Sequence, residues 1–350
     1  MTRLALSSVA GVAVLLALLE IVFRILPVST STATDYYVDP LVKTPPPHHR
    51  WTAATGWDLR NAQTLEANNA GFVATREFVA APNAVALIGD SFIESSMLAA
   101  EDRPERQLQR EIGSRPVYAM GVPGTALLDY AERVRFAHQK FGIRDFVILM
   151  ERGDVLQSLC GSGNVHAQCL DRATLMPRID KAEPANWTKQ VLRNSALAQY
   201  LVSQLRVDSQ TLWSRVIIQA RPAVATEPLA EPIANKGPIA RSASAEVAVD
   251  VITKTFFERV KPFVEGRLLI VVDGNRKAIY ADRPAQDPLL DRFIGLARDS
   301  GATVVDLEPV FRLHWRRSGL KLDVGPSDGH LNVLGVGLMA QAVARELNQR

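Results

Sequence analysis

The chain is 350 residues long, 47% hydrophobic and 22% charged, with 40 basic and 37 acidic residues and a formal net charge of +3. That size and composition suit a globular protein with a full core and exclude a disordered chain. The charges are well mixed and no long basic block occurs, so nucleic-acid binding has no electrostatic support.

The N-terminus differs from the rest. Leu4 to Leu19 carries no charge, and the apolar character runs to Pro27 with only Glu20 and Arg24 interrupting it. A helix over 4–27 would span about 36 Å at ~1.5 Å per residue, enough for a bilayer. Residues 1–27 therefore read as a single-pass membrane anchor. Arg3 and the amino terminus give a weak positive-inside signal, which puts the N-terminus in the cytoplasm and the bulk of the chain outside it, in the periplasm if the source is bacterial. The alternative is a cleaved signal peptide, for which STSTAT at 29–34 offers a site. Glu20 and Arg24 lie four apart on one helix face, where they can pair.

Residues 28–80 read as a tether and lead-in segment. VKTPPPHHRW (42–51) is Pro-rich and is expected to be irregular. His48 and His49 are adjacent, point apart in an extended chain, and are not assigned to a metal. Turns are expected at Asn68-Asn69 and at Gly71.

From residue 81 onward strands and helices alternate. AVALIGD is a short apolar run, followed by the helical PERQLQREIG. VYAMGVPG reads as strand and turn, LLDYAERVRFAHQKFG as an amphipathic helix ended by Gly142, and DFVILME as another buried strand. RLLIVVDG, PLLDRFIGLARDSG, ATVVDLEP and LGVGLMAQAVARELNQ resume the pattern near the C-terminus. Short apolar strands alternating with helices predict an α/β fold of three layers, α/β/α, with a mostly parallel sheet.

Residues from about 155 to 250 break the alternation and are read as an insertion in the 81–350 domain. They hold a mixed helical stretch near 188–220 and a Pro/Ala-rich loop at 221–245. They also hold Cys160 and Cys169 in the Gly-rich CGSGNVHAQC, which can close a small loop. A disulfide there would suit an oxidising compartment; two separate thiols are the alternative. Only His166 and Asp171 lie nearby, without the spacing of a zinc motif. No metal and no cofactor is expected.

In an open parallel sheet, sites form at the carboxyl ends of the strands. Four segments fall there: Gly89-Asp90-Ser91, AMGVPG at 119–124, MERGDV at 150–155 and SDGHLN at 327–332. A serine hydroxyl is a poor nucleophile unless a base takes its proton. His330 is the histidine with an acid two positions away in a turn before a helix, and Asp328 could hold its tautomer and stabilise the imidazolium. The N–H groups of Ser91 and Gly124 could hold a developing oxyanion. Taken alone, Ser91 would read as a helix cap and His330 as a turn residue. His138, His166 and His314 have no comparable context.

Together these segments resemble the SGNH hydrolase superfamily, the GDSL-type esterases and acyl esterases. IGDSF matches the first block with Ser91 as nucleophile, YAMGVPG the second with Gly124, and DGHLNVLG the last with Asp328 and His330. The resemblance implies a Ser91-His330-Asp328 triad with an oxyanion hole from Ser91, Gly124 and the third block. That block usually ends in Asn-Asp, and its asparagine binds the oxyanion; here Gly153 stands in its place, followed by Asp154. The backbone N–H of Gly153, freed by the absence of a Cβ, could serve directly, or the neighbouring Arg152, or Asn164 from the insertion, could supply the missing donor. The acid–histidine spacing is also short by one residue, Ser327 occupying the position that the wider spacing would demand.

The family includes esterases, thioesterases and sugar O-acetyl transferases and esterases. An outward-facing membrane location favours an acylated envelope glycan or small acyl ester as substrate. Trp51, Trp57, Trp187, Trp213 and Trp315 are candidates for stacking on sugars. The competing reading is a non-catalytic glycan-binding or scaffold domain of a polysaccharide assembly system, which Gly153 favours. The sequence names no protein partner.

Overall fold

The computed structural model describes residues 2–30, 34–162, 167–179, 193–205, 238–326 and 328–349. The chain divides into two compact units, one of residues 1–31, 51–64 and 184–241 and one of residues 32–50, 65–183 and 242–350.

In the first unit, helix Thr2–Ile25 contains a 20-residue stretch, Leu6–Ile25, of mean hydropathy 2.4 with none of it buried. By length and composition it can cross a membrane; a signal sequence passes the same test. Arg24 Nε and Glu20 Oε1 pair at 2.8 Å. Glu20 also accepts from the Ser195 hydroxyl and from the Ala196 and Leu197 N–H groups, so it caps the short helix Ala196–Gln199. Phe23 stacks on Tyr200 at 4.2 Å, and the Tyr200 hydroxyl donates to the Trp57 carbonyl.

The second unit is built on five parallel strands: β1 Val85–Gly89, β2 Val117–Gly121, β3 Asp145–Met150, β4 Leu268–Val272 and β5 Thr303–Asp306. Their order is β5-β4-β3-β1-β2. Successive residues point to opposite faces of a sheet, and here each face has its own core. Ala86, Ile88, Tyr118, Met120, Phe146, Ile148, Ile270 and Val272 pack beneath helices Leu127–Phe141, Pro238–Val260 and Pro288–Asp299. Val85, Leu87, Val117, Ala119, Val147, Leu149, Leu269 and Val271 meet helices Pro104–Ile112, Glu308–Ser318 and Val333–Asn348. Burial on both faces is why the strands read as continuous apolar runs rather than alternating ones. The result is a three-layer α/β/α unit. The register pairs Gly89 with Gly121 and Val272 with both Met150 and Asp306, so the carboxyl ends finish nearly level and offer one edge for a site.

Two expectations need correction. Residues 34–50 and 65–80 are not a tether, and 42–51 is not wholly irregular. Val42–Thr44 is a buried strand paired antiparallel with Asp35–Asp39. Val42, Phe72 and Phe78 belong to the core, and Phe78 stacks on Tyr118 at 4.2 Å. Phe72 and Phe78 also meet Phe136 and Phe141 of helix Leu127–Phe141, and Arg135 on that helix pairs with Asp39 at 2.6 Å. The prolines are confined to the loop before His48, which sits at φ 58°. Secondly, the insertion ends earlier than residue 250. Ala248, Val249, Ile252 and Phe256 are core residues of the helix that joins the middle of the chain back to β4. Most of the stretch 188–245, with Trp187 and Trp213, lies outside the described residues.

Candidate active site

β1 stops at Gly89 because the chain there is crowded. A Cβ at Gly89 would lie 2.8 Å from the Leu149 carbonyl oxygen, and one at Gly121 only 2.3 Å from the Glu94 nitrogen. Glycine at the ends of β1 and β2 lets the turn after β1 pass directly over its neighbour. Asp90 caps that turn, its Oδ1 accepting from the Phe92 N–H at 2.9 Å. Ser91 then opens the short helix Ser91–Glu94 with its side chain half-buried.

The partner histidine comes from the other end of the chain. Asp323–Gly325 and Asp328–Leu331 form a hairpin before the last helix. Asn332 holds it, donating to the Lys321 and Asp323 carbonyls while accepting from the Gly335 N–H. His330 Nε2 lies 2.8 Å from Ser91 Oγ, and His330 Nδ1 lies 2.6 Å from Asp328 Oδ1. The same Asp328 oxygen accepts from the His330 N–H at 3.0 Å. That turn explains the short spacing: with one residue between them, the acid closes on the backbone and the ring nitrogen of His330 at once. Ser327 lies outside the described residues. The imidazole leans on the Phe92 ring, centroids 4.9 Å apart. Burial disfavours its charge, but the Asp328 hydrogen bond and charge, with Asp90 and Glu151 behind them, outweigh burial and raise its pKa.

The expected oxyanion donors fall at neighbouring strand ends. Gly124 follows β2 in a left-handed conformation at φ 73°. Among the described residues, neither its N–H nor that of Ser91 has a protein acceptor. Gly153 follows β3 and precedes the helical turn Asp154–Gln157. It lines a pocket of about 280 Å³ with Arg152, Val155, Leu156, Val249 and Leu290. Arg152 turns to Asp287 at 3.5 Å. Asn164 and His166 lie outside the described residues. Of the five tryptophans, Trp51 and Trp57 belong to the other unit and Trp315 packs against Tyr280.

Three charged groups here, Arg133, Arg276 and Glu151, have no counterpart in the sequence reading, and Asp154 was read only as the residue after Gly153. Arg133 is fully buried and donates to the Gly89 and Met120 carbonyls and to Thr125 Oγ1, tying the ends of β1 and β2 together. Arg276 bridges Asp273 and Asp323 and lies over the Phe92 ring. Asp154 accepts from the Tyr130 hydroxyl at 2.8 Å and from the Glu151 N–H at 3.0 Å. Glu151, Asp154 and Asp90 bring carboxylate oxygens within 4.8 Å of one another, the one grouping of metal-binding residue types among the described residues. Burial raises the pKa of all three, and their mutual repulsion adds to it for Glu151 and Asp154. Arg276 had a signal, since it follows β4 at the same sheet edge. Arg133 had none, being one basic residue in an amphipathic helix.

Cys160 and Cys169 are joined in a disulfide. Asp129 anchors the returning strand, accepting from the Ala167 and Gln168 N–H groups.

No protein-family model matches the sequence, and no curated protein matches it. Among solved structures, the chain is similar to a member of the lipolytic G-D-S-L family from Veillonella parvula, with 12% identity, 76% of this chain and 98% of that one covered, and a TM-score of 0.38. It is also similar to the lipase/acylhydrolase from Enterococcus faecalis, with 10% identity, 76% and 95% coverage and a TM-score of 0.36. A third is an alpha/beta hydrolase enzyme from the metagenome of Lake Arreo, Spain, with 13% identity, 77% and 98% coverage and a TM-score of 0.38. Overlaps this loose carry no argument about chemistry, which rests on the side-chain geometry alone.

Proposed function

We propose that the protein is an SGNH-type serine ester hydrolase or O-acyltransferase. The observation that carries this reading is the continuous relay from Asp328 through His330 to Ser91, at 2.6 and 2.8 Å. Ser91 Oγ attacks the acyl carbonyl while His330 takes its proton, and Asp328 stabilises the imidazolium that results. The N–H groups of Ser91 and Gly124 hold the oxyanion. His330 then returns the proton to the departing alkoxide and leaves an acyl-serine. Water completes hydrolysis; an acceptor hydroxyl completes transfer. Both routes share the same first half, so the difference lies in the acceptor.

The substrate class follows from location. With Leu6–Ile25 as an anchor and the domain facing outward, acylated envelope glycans are the accessible esters. The glycine at 153 favours a second reading, a glycan-binding scaffold that no longer turns over. Full-length protein in detergent, assayed with p-nitrophenyl acetate beside Ser91→Ala, separates the two. Turnover lost in the variant supports the enzyme, and equal rates in both proteins support the scaffold.

A further inference from the structure

Gly153 leaves the third strand end without a side-chain amide, and Arg152, beside it in sequence, is turned toward Asp287. What does reach the area is Glu151. Its carboxyl oxygen shares a space less than 4.8 Å across with those of Asp90 and Asp154. Asp154 is 0% exposed and Asp90 7%, and Asp154 Oδ1 is buried without a hydrogen-bond partner among the described residues. Three like charges so close, in a place with little water, cannot all be ionised. Shared protons remove the repulsion and give the orphan oxygen a partner.

The three groups are not equivalent. Asp90 is committed to the Phe92 N–H, and Asp154 to Tyr130 and the Glu151 N–H. Glu151 alone is half-exposed and has no such commitment of its carboxyl group. We infer that Glu151 works as a neutral carboxylic acid beside Ser91, donating a hydrogen bond to the oxygen of the bound acyl group in place of the missing asparagine. The inference rests on the serine-hydrolase reading. No proton leaves Glu151 in the step: the carboxylic acid stabilises charge, as an N–H donor would. An ionised carboxylate at the same point would oppose the oxyanion, so the activity carries an upper pH limit.

The groups facing Glu151 set that limit. Asp90 at the end of β1, Asp154 on the following helical turn and Asp273 at the end of β4 favour the neutral acid. His330 from the hairpin and Arg276 after β4 favour the carboxylate. Burial adds to the acidic side, and together they raise the Glu151 pKa above its ordinary value.

The test uses full-length protein in detergent and an alkyl fluorophosphonate. Ser91 Oγ bonds to phosphorus, fluoride leaves, His330 takes the hydroxyl proton, and the P=O oxygen occupies the place of the acyl oxygen. Labelling rates are measured against pH for wild type, Glu151→Gln and Glu151→Ala. The wild-type rate should rise as His330 loses its proton and fall again at higher pH. Glu151→Gln keeps a donor without the titration: its rate at the optimum should stay within a few-fold and its alkaline fall should vanish. Its acid limb should stay where the wild-type one is, because Glu151 is already neutral there. Glu151→Ala should lose about 100-fold or more at the optimum and should also lack the alkaline fall. Wild-type rates in both variants, with the alkaline fall retained, overturn the inference while leaving Ser91 as nucleophile. A wild-type rate abolished by EDTA also overturns it, assigning the carboxylates to a cation. No labelling of wild type overturns the serine reading and this inference with it.

Discussion

Replacing Asp328 with asparagine exchanges one carboxylate oxygen for an NH2 and tests the relay where it is shortest. Asp328 Oδ1 receives both the His330 ring N–H at 2.6 Å and the backbone N–H at 3.0 Å. An asparagine oxygen can still serve the backbone, so the turn should hold. It serves the ring poorly, because a neutral acceptor makes a weaker bond than an anion. If the amide turns over, its NH2 faces Nδ1 and the ring proton must sit on Nε2, aimed at Ser91 Oγ. The ring is then no base. In the serine-protease template this single change costs about 10⁴ in kcat. Here the His330 side chain is 27% exposed, so water can partly orient the ring, and a loss of about 10²–10⁴ is expected. The pH profile adds a sign. Asp328 is the main group holding the His330 pKa above its usual value against burial, so its removal lowers that pKa. The acid limb of kcat/KM on a p-nitrophenyl ester should therefore move to lower pH while the plateau falls. Stability should respond in the same sense. A raised histidine pKa stabilises the fold below the unfolded value and ceases to do so as pH rises through the folded one. The stability gap between wild type and variant should thus be widest in acid and narrow above neutrality. A folded Asp328→Asn protein with less than a tenfold loss, or an acid limb moved upward, would refute the relay.

Other perturbations probe the scaffold beneath the site. Gly121→Ala places a Cβ 2.3 Å from the Glu94 nitrogen and 2.9 Å from the Asp90 carbonyl oxygen, both backbone atoms that cannot swing aside. It should destabilise by about 1–3 kcal/mol in urea titrations and slow Ser91 labelling, whereas an unshifted midpoint would mean the turn is loose. Glu94 is buried with its pKa pushed up to about 7, chiefly by burial. Its contribution is present below its ordinary pKa and is lost as pH rises through 7, on the order of 3 kcal/mol. Glu94→Gln should flatten stability between pH 4.5 and 7, and an unchanged slope there would mean that Glu94 is solvated. Replacing Cys160 and Cys169 by serine opens a loop with a sequence separation of 9, which should lower stability by about 2–3 kcal/mol with the relay intact. Equal unfolding midpoints with and without reductant would contradict that.

The sheet was legible because its strands are buried on both faces: VALIG, VYAMG and LLIVV leave little choice of structure. Three strand ends were legible for the same reason, since a buried strand followed by Gly-Asp-Ser must end at the sheet edge; SDGHLN is no end of a sheet strand but belongs to a separate hairpin before the last helix. Val42 and Phe72 were not, because single apolar residues in a Pro- and Asn-rich stretch carry no period, and only their packing reveals them as core. The helix Pro238–Val260 was hidden by the Pro/Ala-rich run before it and by the lack of a clean polar face. Glu151 and Asp154 flank the glycine that drew attention, yet their meaning is spatial. Nothing in MERGDV says that both carboxyl groups converge on Asp90, a residue some sixty positions earlier.

The most direct measurement is the mass of the Ser91 peptide after rapid mixing with p-nitrophenyl acetate and acid quenching. An acetyl group on Ser91, formed within a burst of p-nitrophenol and absent from Ser91→Ala and His330→Ala, is the expected result. Steady release of p-nitrophenol with no acetyl on Ser91, or an acetyl group on another residue, would contradict a nucleophilic serine at the end of β1.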